Sequence, residues 1–192
     1  MAKVVVKSKA KKAKRKFPVE IIAPEFLNSA SLGTSQVSDL ANFVGKSLKI
    51  NLMYVSGSVK NQNVWLTFRV IEASSGQAKT EVKKYEQIPY YLGRFVKKGS
   101  DLVEDSFIAK SKDGKEVRVK PFVVTKENVS ELVLSSVRAK TKESIVSELS
   151  KVTYDEFVSG VIGNKYQTQF RNEVKKIFPL KSFEFKKIEL IK

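Results

Sequence analysis

The sequence predicts an α+β fold: a central antiparallel β-barrel flanked by helices and preceded by a disordered basic N-terminal arm. Three observations lead there. Leu48, Ile50, Leu52 and Tyr54 alternate with Lys49, Asn51 and Met53, and Val64, Leu66, Phe68 and Val70 alternate with Trp65, Thr67 and Arg69, the period-two pattern of half-buried strands. Asp113-Gly114 stands between two further strand-like runs, residues 107–110 and 116–124, where a two-residue hairpin turn belongs, with Gly114 at positive φ. From Val129 onward the apolar residues recur at helical spacing instead. Four or more antiparallel strands joined by short turns favour a barrel or a strongly curved sheet.

Taken in order, residues 1–16 form the arm and residues 17–192 one folded domain, strand-rich over 17–125, helical over 126–180 and closed by a strand over 181–192. Pro24 interrupts the apolar stretch 21–26, which reads as a docked extended segment, and residues 33–38 read as a loop. A short helix is expected over 39–44, with Ser38 as its N-cap and Gly45 just past its end. Ser56-Gly57-Ser58 and Ser74-Ser75-Gly76 supply turns on either side of the second strand, and a third strand follows over 79–88. The glycines in general look like turn formers. In the last third, Val129, Leu132, Val133, Val137, Ile145 and Leu149 approximate one helix face, interrupted by the polar residues 140–144. Thr153 with Glu156 fits a capping box, and Phe157, Val158, Val161 and Ile162 continue at the spacing of an apolar helix face. Phe170, Val174 and Ile177 mark a further helix before Pro179. In the closing strand, Lys186-Lys187 shifts the alternation between Phe183, Phe185 and Ile188, Leu190, which predicts a bulge.

The chemistry available is narrow. The chain has no cysteine and no histidine, so thiolate metal sites and the commonest general base are absent, and no Ser-His-Asp or Cys-His nucleophile can be assembled. Neither a phosphate-binding loop nor a dinucleotide fingerprint is present. No apolar run approaches the roughly 18 residues of a membrane span, and no secretory signal follows the N-terminal charges. Asp101, Glu104 and Asp105 form the best carboxylate group for a magnesium or general-acid site; the plainer reading is exposed charge beside Lys97 and Lys98. No cofactor, metal or catalysis is expected.

What the sequence offers instead is positive charge. The formal net charge is +16 over 192 residues. An excess of that size repels itself within a fold and points to a polyanionic partner, nucleic acid before an anionic membrane. Half of it sits in the arm, on Lys3, Lys7, Lys9, Lys11, Lys12, Lys14, Arg15 and Lys16. With so little to bury, the arm is expected to be disordered when free and to order against RNA. Arg94, Lys97 and Lys98 make a second candidate contact, and Arg138, Lys140 and Lys142 a third. Of the aromatic residues, most of which should pack in the core, Phe17 beside the arm and Trp65 on the polar side of its strand stay open for base stacking.

Several segments stand in order along nearly the whole chain: the lysine-rich leader with Phe17, then Ile21-Ile22-Ala23-Pro24 with Phe26, then Tyr91-Leu92-Gly93-Arg94-Phe95-Val96. Gly99-Ser100-Asp101-Leu102-Val103-Glu104-Asp105, Lys112-Asp113-Gly114 and Val119-Lys120-Pro121-Phe122-Val123-Val124-Thr125 follow. Asp155-Glu156-Phe157-Val158, Val174-Lys175-Lys176-Ile177-Phe178-Pro179-Leu180 and Lys186-Lys187-Ile188-Glu189-Leu190 complete the series. Together they resemble a family of small-subunit ribosomal proteins shared by archaea and eukaryotes, the "three-Ae" family, also called the eukaryotic-type "S-one" family. The resemblance implies a β-barrel with flanking helices and a non-enzymatic, cytoplasmic protein of archaeal type. It also implies a place on the small-subunit platform near the messenger exit, with ribosomal RNA and neighbouring platform proteins as partners, and messenger RNA and initiation factors within reach. The rival expectation is a free-standing barrel that binds single-stranded nucleic acid, and a more distant one is an enzyme using carboxylates.

Overall fold

A computed structural model describes residues 16–74 and 76–191, and among these all nine strands join one sheet. Its spine is a pair of long strands, β8 (Glu116–Thr125) and β9 (Leu180–Leu190), where the chain's end returns to its middle. The bulge expected from Lys186-Lys187 is there. Lys120 lies opposite Lys187 and Pro121 opposite Phe185, so Lys186 has no counterpart. The extra residue lets Phe183 and Phe185 on one side of it, and Ile188 and Leu190 on the other, all reach the core. Pro121, which has no N–H to give to a ladder, sits at the irregularity.

Beyond β9 lie β5 (Gln77–Gln87), β4 (Val64–Ala73) and β3 (Ser47–Asn51), each antiparallel to the last. Beyond β8 lie β7 (Phe107–Lys110) and the short β6 (Leu102–Glu104). A hairpin of β1 (Phe17–Ile22) and β2 (Ser31–Val37) attaches to the start of β5. The β1–β5 pairing is parallel, so the sheet is mixed rather than wholly antiparallel.

The sheet does not close into the barrel that the sequence predicts. Among the described residues β3 pairs only with β4, β2 only with β1, and β6 and β7 only with β8. The cause is the way the long strands divide their edges. One edge of β5 is shared by β1 over residues 77–79 and by β9 over 84–86. One edge of β8 is shared by β7 and β6 in the same manner. Two strands set end to end along one edge splay a sheet where a barrel would need its first and last strands to meet.

Local signals explain the other departures. The segment expected as a loop over 33–38 is mostly strand β2, and the helix expected over 39–44 is a turn ended by Gly45 at φ +85°. The strand expected to run through Leu52 and Tyr54 stops at Asn51. The Asn51 side chain accepts the Met53 N–H at 2.9 Å and starts α1 (Leu52–Ser56). The β7–β8 hairpin has a three-residue loop, Lys112-Asp113-Gly114, instead of a two-residue one. Ser111 N–H donates to the Lys115 carbonyl (3.0 Å) and Gly114 N–H to the Ser111 carbonyl (2.9 Å). Gly114 does take the positive φ that such a loop needs, +76°.

Three helices, α3 (Glu131–Leu149), α4 (Tyr154–Ile162) and α5 (Lys165–Val174), bring their apolar sides to the main core. The polar interruption in α3 is crossed by small residues. Thr141 and Ser144 are buried in line with Val137, Ile145 and Leu149, and the Thr141 hydroxyl donates to the Val137 carbonyl at 2.8 Å. The Thr153–Glu156 capping box opens α4 as predicted. Val137, Leu149, Phe157 and Phe170 are buried as expected; Leu132 and Ile177 are not. Leu132 is five residues from Val137, roughly 140° round the helix, and Ile177 falls after α5 has ended. Phe157, Tyr166, Phe170, Phe183 and Phe185 form one chain of ring contacts between these helices and β9.

Gly160 is not a turn former. A Cβ there would collide with the Tyr166 ring, so glycine is what lets α4 and α5 approach. Gly160→Ala is expected to lower stability by about 1–3 kcal/mol through overpacking, and Leu149→Ala by about 2–5 kcal/mol through the cavity it leaves. Urea unfolding of the two variants measures both. An unshifted midpoint in either would contradict the packing described for that helix.

Candidate nucleic-acid interface

One face of the sheet lies under α3, α4 and α5; the other carries charge. The strand registers set Lys49 of β3 opposite Thr67 of β4, then Lys84 of β5, Glu189 of β9 and Arg118 of β8. Two residues further along, the row is Trp65, Glu86, Lys187 and Lys120. Residues directly opposite across a sheet share a face, so these two rows form one surface. Its cations are Lys49, Lys84, Arg118, Lys120 and Lys187, against Glu86 and Glu189 alone. Lys49 and Lys84 both reach Glu86, at 3.1 and 3.0 Å, and Lys187 reaches Glu189 at 2.6 Å. The Lys49 ammonium also lies 5.4 Å from the centre of the Trp65 ring. Arg118 and Lys120 stand at the β8 end of the rows, outside these three ion pairs.

The carboxylates act as spacers. Partial burial pushes the Glu86 carboxyl up, but the hydrogen bonds and charges of Lys84 and Lys49 outweigh it and hold the group below its ordinary 4.5. The hydrogen bond from Lys187 holds Glu189 down, helped by the charges of Lys84 and Arg118. The result is a lattice of fixed ammonium groups with a net positive field, suited to a phosphate backbone. In the sequence these residues are merely the polar half of each alternation; only register puts them in rows.

At the far end of this face α2 (Pro89–Gly93) covers β8. Leu92, with Tyr91 and Phe95 beside it, packs on Phe122 and Val124, which is why residues 121–125 are buried on both sides. This places the second predicted contact: Arg94, Lys97 and Lys98 are exposed just past α2, with the Arg94 guanidinium 5.8 Å from the Tyr91 ring centre. The third lies on α3. Arg138 and Lys142 are exposed one turn apart, Lys142 near the Phe107 ring, whereas Lys140 is tied to Glu143 at 2.8 Å. The structure therefore divides these basic residues between two elements. Phe17, the first residue of β1, is half-exposed. Of the arm, Lys16 is described and exposed, while Lys3, Lys7, Lys9, Lys11, Lys12, Lys14 and Arg15 lie outside the described residues.

The carboxylates weighed as a catalytic group each serve the chain itself. Asp101 accepts the Val129 N–H at 2.7 Å, Asp105 accepts the Ser106 N–H at 2.7 Å, and both oxygens of Glu104 lie 2.9 Å from the Lys186 ammonium.

A cleft of about 610 Å³ opens at the end of the sheet, where β5 stops and β9 begins. Its walls come from α5, α2, the start of β9 and the 3-10 turn Val59–Asn61. Lys60, Arg171, Lys175 and Lys181 supply cations, and Tyr91 and Phe95 supply aromatic surface. Gln87 donates to Glu184 at 2.9 Å and to the Tyr85 hydroxyl at 3.2 Å; Gln167 donates to the Val161 carbonyl at 2.8 Å. The sequence reading missed this site altogether, since its residues come from five separate segments with no common motif.

The family model of the Ribosomal S3Ae family matches residues 5–192. This chain belongs to that family. The Ribosomal S3Ae family consists of structural ribosomal proteins, not enzymes. Among similar proteins is small ribosomal subunit protein eS1 of Archaeoglobus fulgidus, 27% identical over 173 residues, covering 89% of this chain and 82% of that one. The protein of the same name from Nanoarchaeum equitans is 28% identical over 169 residues, covering 86% and 84%. That from Saccharolobus islandicus is 27% identical over 172 residues, covering 90% and 83%.

The paired carboxylates give a pH test of the charged face. Because Glu86 and Glu189 titrate lower when folded, their contribution is complete above the ordinary glutamate value of 4.5 and is lost as pH falls through the lowered folded values. Thermal unfolding between pH 6 and acid should show this as a falling limb. Glu86→Gln with Glu189→Gln should flatten it; an identical limb in the double variant would mean that the ion pairs do not form as described.

Proposed function

We propose that this chain is a structural constituent of the small ribosomal subunit that binds ribosomal RNA through the charged sheet face, the basic loop after α2 and the N-terminal arm. The observation that carries the reading is the rows of cations on the exposed sheet face, in a chain whose family is ribosomal over nearly its whole length. The binding is electrostatic and geometric. The lysines of the rows replace the counterions condensed on the phosphates, Trp65 offers a ring for stacking at the β4 end, and folded RNA is recognised by its shape. A ribosomal place implies a cytoplasmic one. The location that fits the family resemblance is the platform near the messenger exit, with adjacent platform proteins as neighbours and messenger RNA and initiation factors as further partners.

Sucrose-gradient sedimentation of a cell lysate tests the assignment. The chain should travel with the small subunit and stay with it in moderate salt. Sedimentation as a free protein, with tight binding to unstructured oligonucleotides, would favour a free-standing single-strand binder instead.

Salt dependence separates the contributions. If about six to eight arm cations meet phosphates, the logarithm of affinity for ribosomal RNA should fall against log salt with an arm contribution of about −4 to −7, at roughly 0.7–0.9 per phosphate. Deleting residues 2–16 should remove that contribution and leave thermal stability of the free protein nearly unchanged. Arg118→Ala with Lys120→Ala should reduce the slope by about 1–2. An unchanged slope in the truncated chain would remove the arm from the interface.

A further inference from the structure

We propose that the cleft at the end of the sheet is a pocket for a single unpaired nucleotide of RNA, with guanine the preferred base. This deepens the RNA-binding reading above and rests on it. The cleft, at about 610 Å³, falls in the range of roughly 300–1,000 Å³ typical of small-ligand sites. A paired, stacked base cannot present its edge there, but one extruded from a loop or bulge can.

The floor decides the chemistry. Among the described residues no hydrogen-bond partner reaches Gln87 Oε1, Gln167 Oε1 or Ser182 Oγ. All three residues line the cleft, and each is at least nine-tenths buried. A buried polar atom left unpaired is costly, so three around one cleft call for an explanation. Both amide N–H groups of Gln87 are engaged, on Tyr85 and Glu184, and one of the two on Gln167 is engaged on Val161. What both glutamines still offer is an acceptor oxygen, and the Glu184 carboxylate beside them is a further acceptor. Burial raises its proton affinity, which the hydrogen bond from Gln87 and the charge of Arg171 only partly lower, and a carboxylate has room for more donors than the one from Gln87.

These oxygens lie just beneath the cleft lining, and once turned to a ligand they select an edge made of donors. Guanine presents its ring N–H and amino group side by side. Adenine and cytosine present an amino group next to a ring acceptor, and uracil a single ring N–H between two carbonyls. The rim completes the match. Lys60, Lys175, Lys181 and Arg171 stand where a phosphate would be neutralised, and Arg171 is steadied by its bond to the Leu180 carbonyl at 3.4 Å. Tyr91, set edge-on to Phe95 with ring centres 5.2 Å apart, gives a flat wall for a base. A metal ion does not fit: the cleft has one carboxylate among four cations, and the described residues hold no metal-binding cluster of acidic side chains.

The test uses the full chain and two kinds of probe. Titration with nucleoside 5′-monophosphates, followed by NMR shifts, should rank GMP first, AMP and CMP next and UMP last. Gln167→Leu and Gln87→Leu should each weaken GMP by about tenfold and narrow the gap to UMP. Ser182→Ala gives a milder version of the same change if either glutamine variant fails to fold. Lys175→Ala with Lys181→Ala should weaken all four nucleotides alike. The second probe is an RNA hairpin with one bulged nucleotide, which should bind more tightly with guanosine than with uridine at the bulge. Equal binding of the four nucleotides, or a preference that survives the glutamine changes, would overturn the base-reading floor. Discrimination among free nucleotides but not among bulged hairpins would make this a free-nucleotide site and overturn the RNA assignment. Failure of the RNA-binding reading would appear separately, as long RNA binding untouched by the arm and Arg118–Lys120 changes.

Discussion

The antiparallel pairing of β8 with β9 holds the rest of the structure in place. It joins the middle of the chain to its end along nearly the full length of both strands. On the inner face it sets Phe183, Phe185 and Ile188 beneath α4 and α5. On the outer face it sets Arg118 and Lys120 beside Glu189 and Lys187. Both faces depend on the single extra residue at Lys186. Without that bulge, the alternation of residues 183–190 would turn either the two phenylalanines or Ile188 and Leu190 to the wrong side.

The charged face is not a device for stability. Exposed ion pairs of the Lys49–Glu86 kind contribute little, about 0–1 kcal/mol each, and less as salt rises. The surplus of cations costs the free protein something through repulsion. What the two carboxylates accomplish is positional: between them they hold three ammonium groups to the sheet instead of letting each swing on its four-carbon stem. A lysine held in place loses less entropy on meeting a phosphate, so the lattice is prepared for a polyanion before one arrives.

Several segments that carry the family resemblance support the fold. Asp113, in the hairpin loop, accepts the N–H of Tyr154 at the first turn of α4 at 3.3 Å, and Lys112 N–H donates to the Val152 carbonyl at 3.1 Å. The β7–β8 loop thus fixes the junction between α3 and α4. Thr125, fully buried, accepts the Asp101 N–H at 2.9 Å and donates to the Glu127 carbonyl at 2.8 Å. Asp101 in turn holds Val129. These bonds anchor the passage from the last residue of β8 into α3, and with it the placing of the helical layer.

The sequence by itself determined the character of the elements that depend on near neighbours. The β4 alternation, the Thr153–Glu156 capping box, the positive φ of Gly114 and the bulge at Lys186 are each written within a few residues, and each was legible there. The family was legible too, because its motifs keep their order along the chain. Only the tertiary structure decided the rest. Whether the sheet closes depends on which strands share the edges of β5 and β8, and no local pattern records that choice. The parallel β1–β5 contact joins residues far apart in the chain, as do the rows of cations and the acceptor-lined cleft. Gly160 looked like punctuation because its reason, the Tyr166 ring, stands on the next helix. Periodicity states which side of an element is buried; register and packing state what that side meets, and a binding surface is made of such meetings.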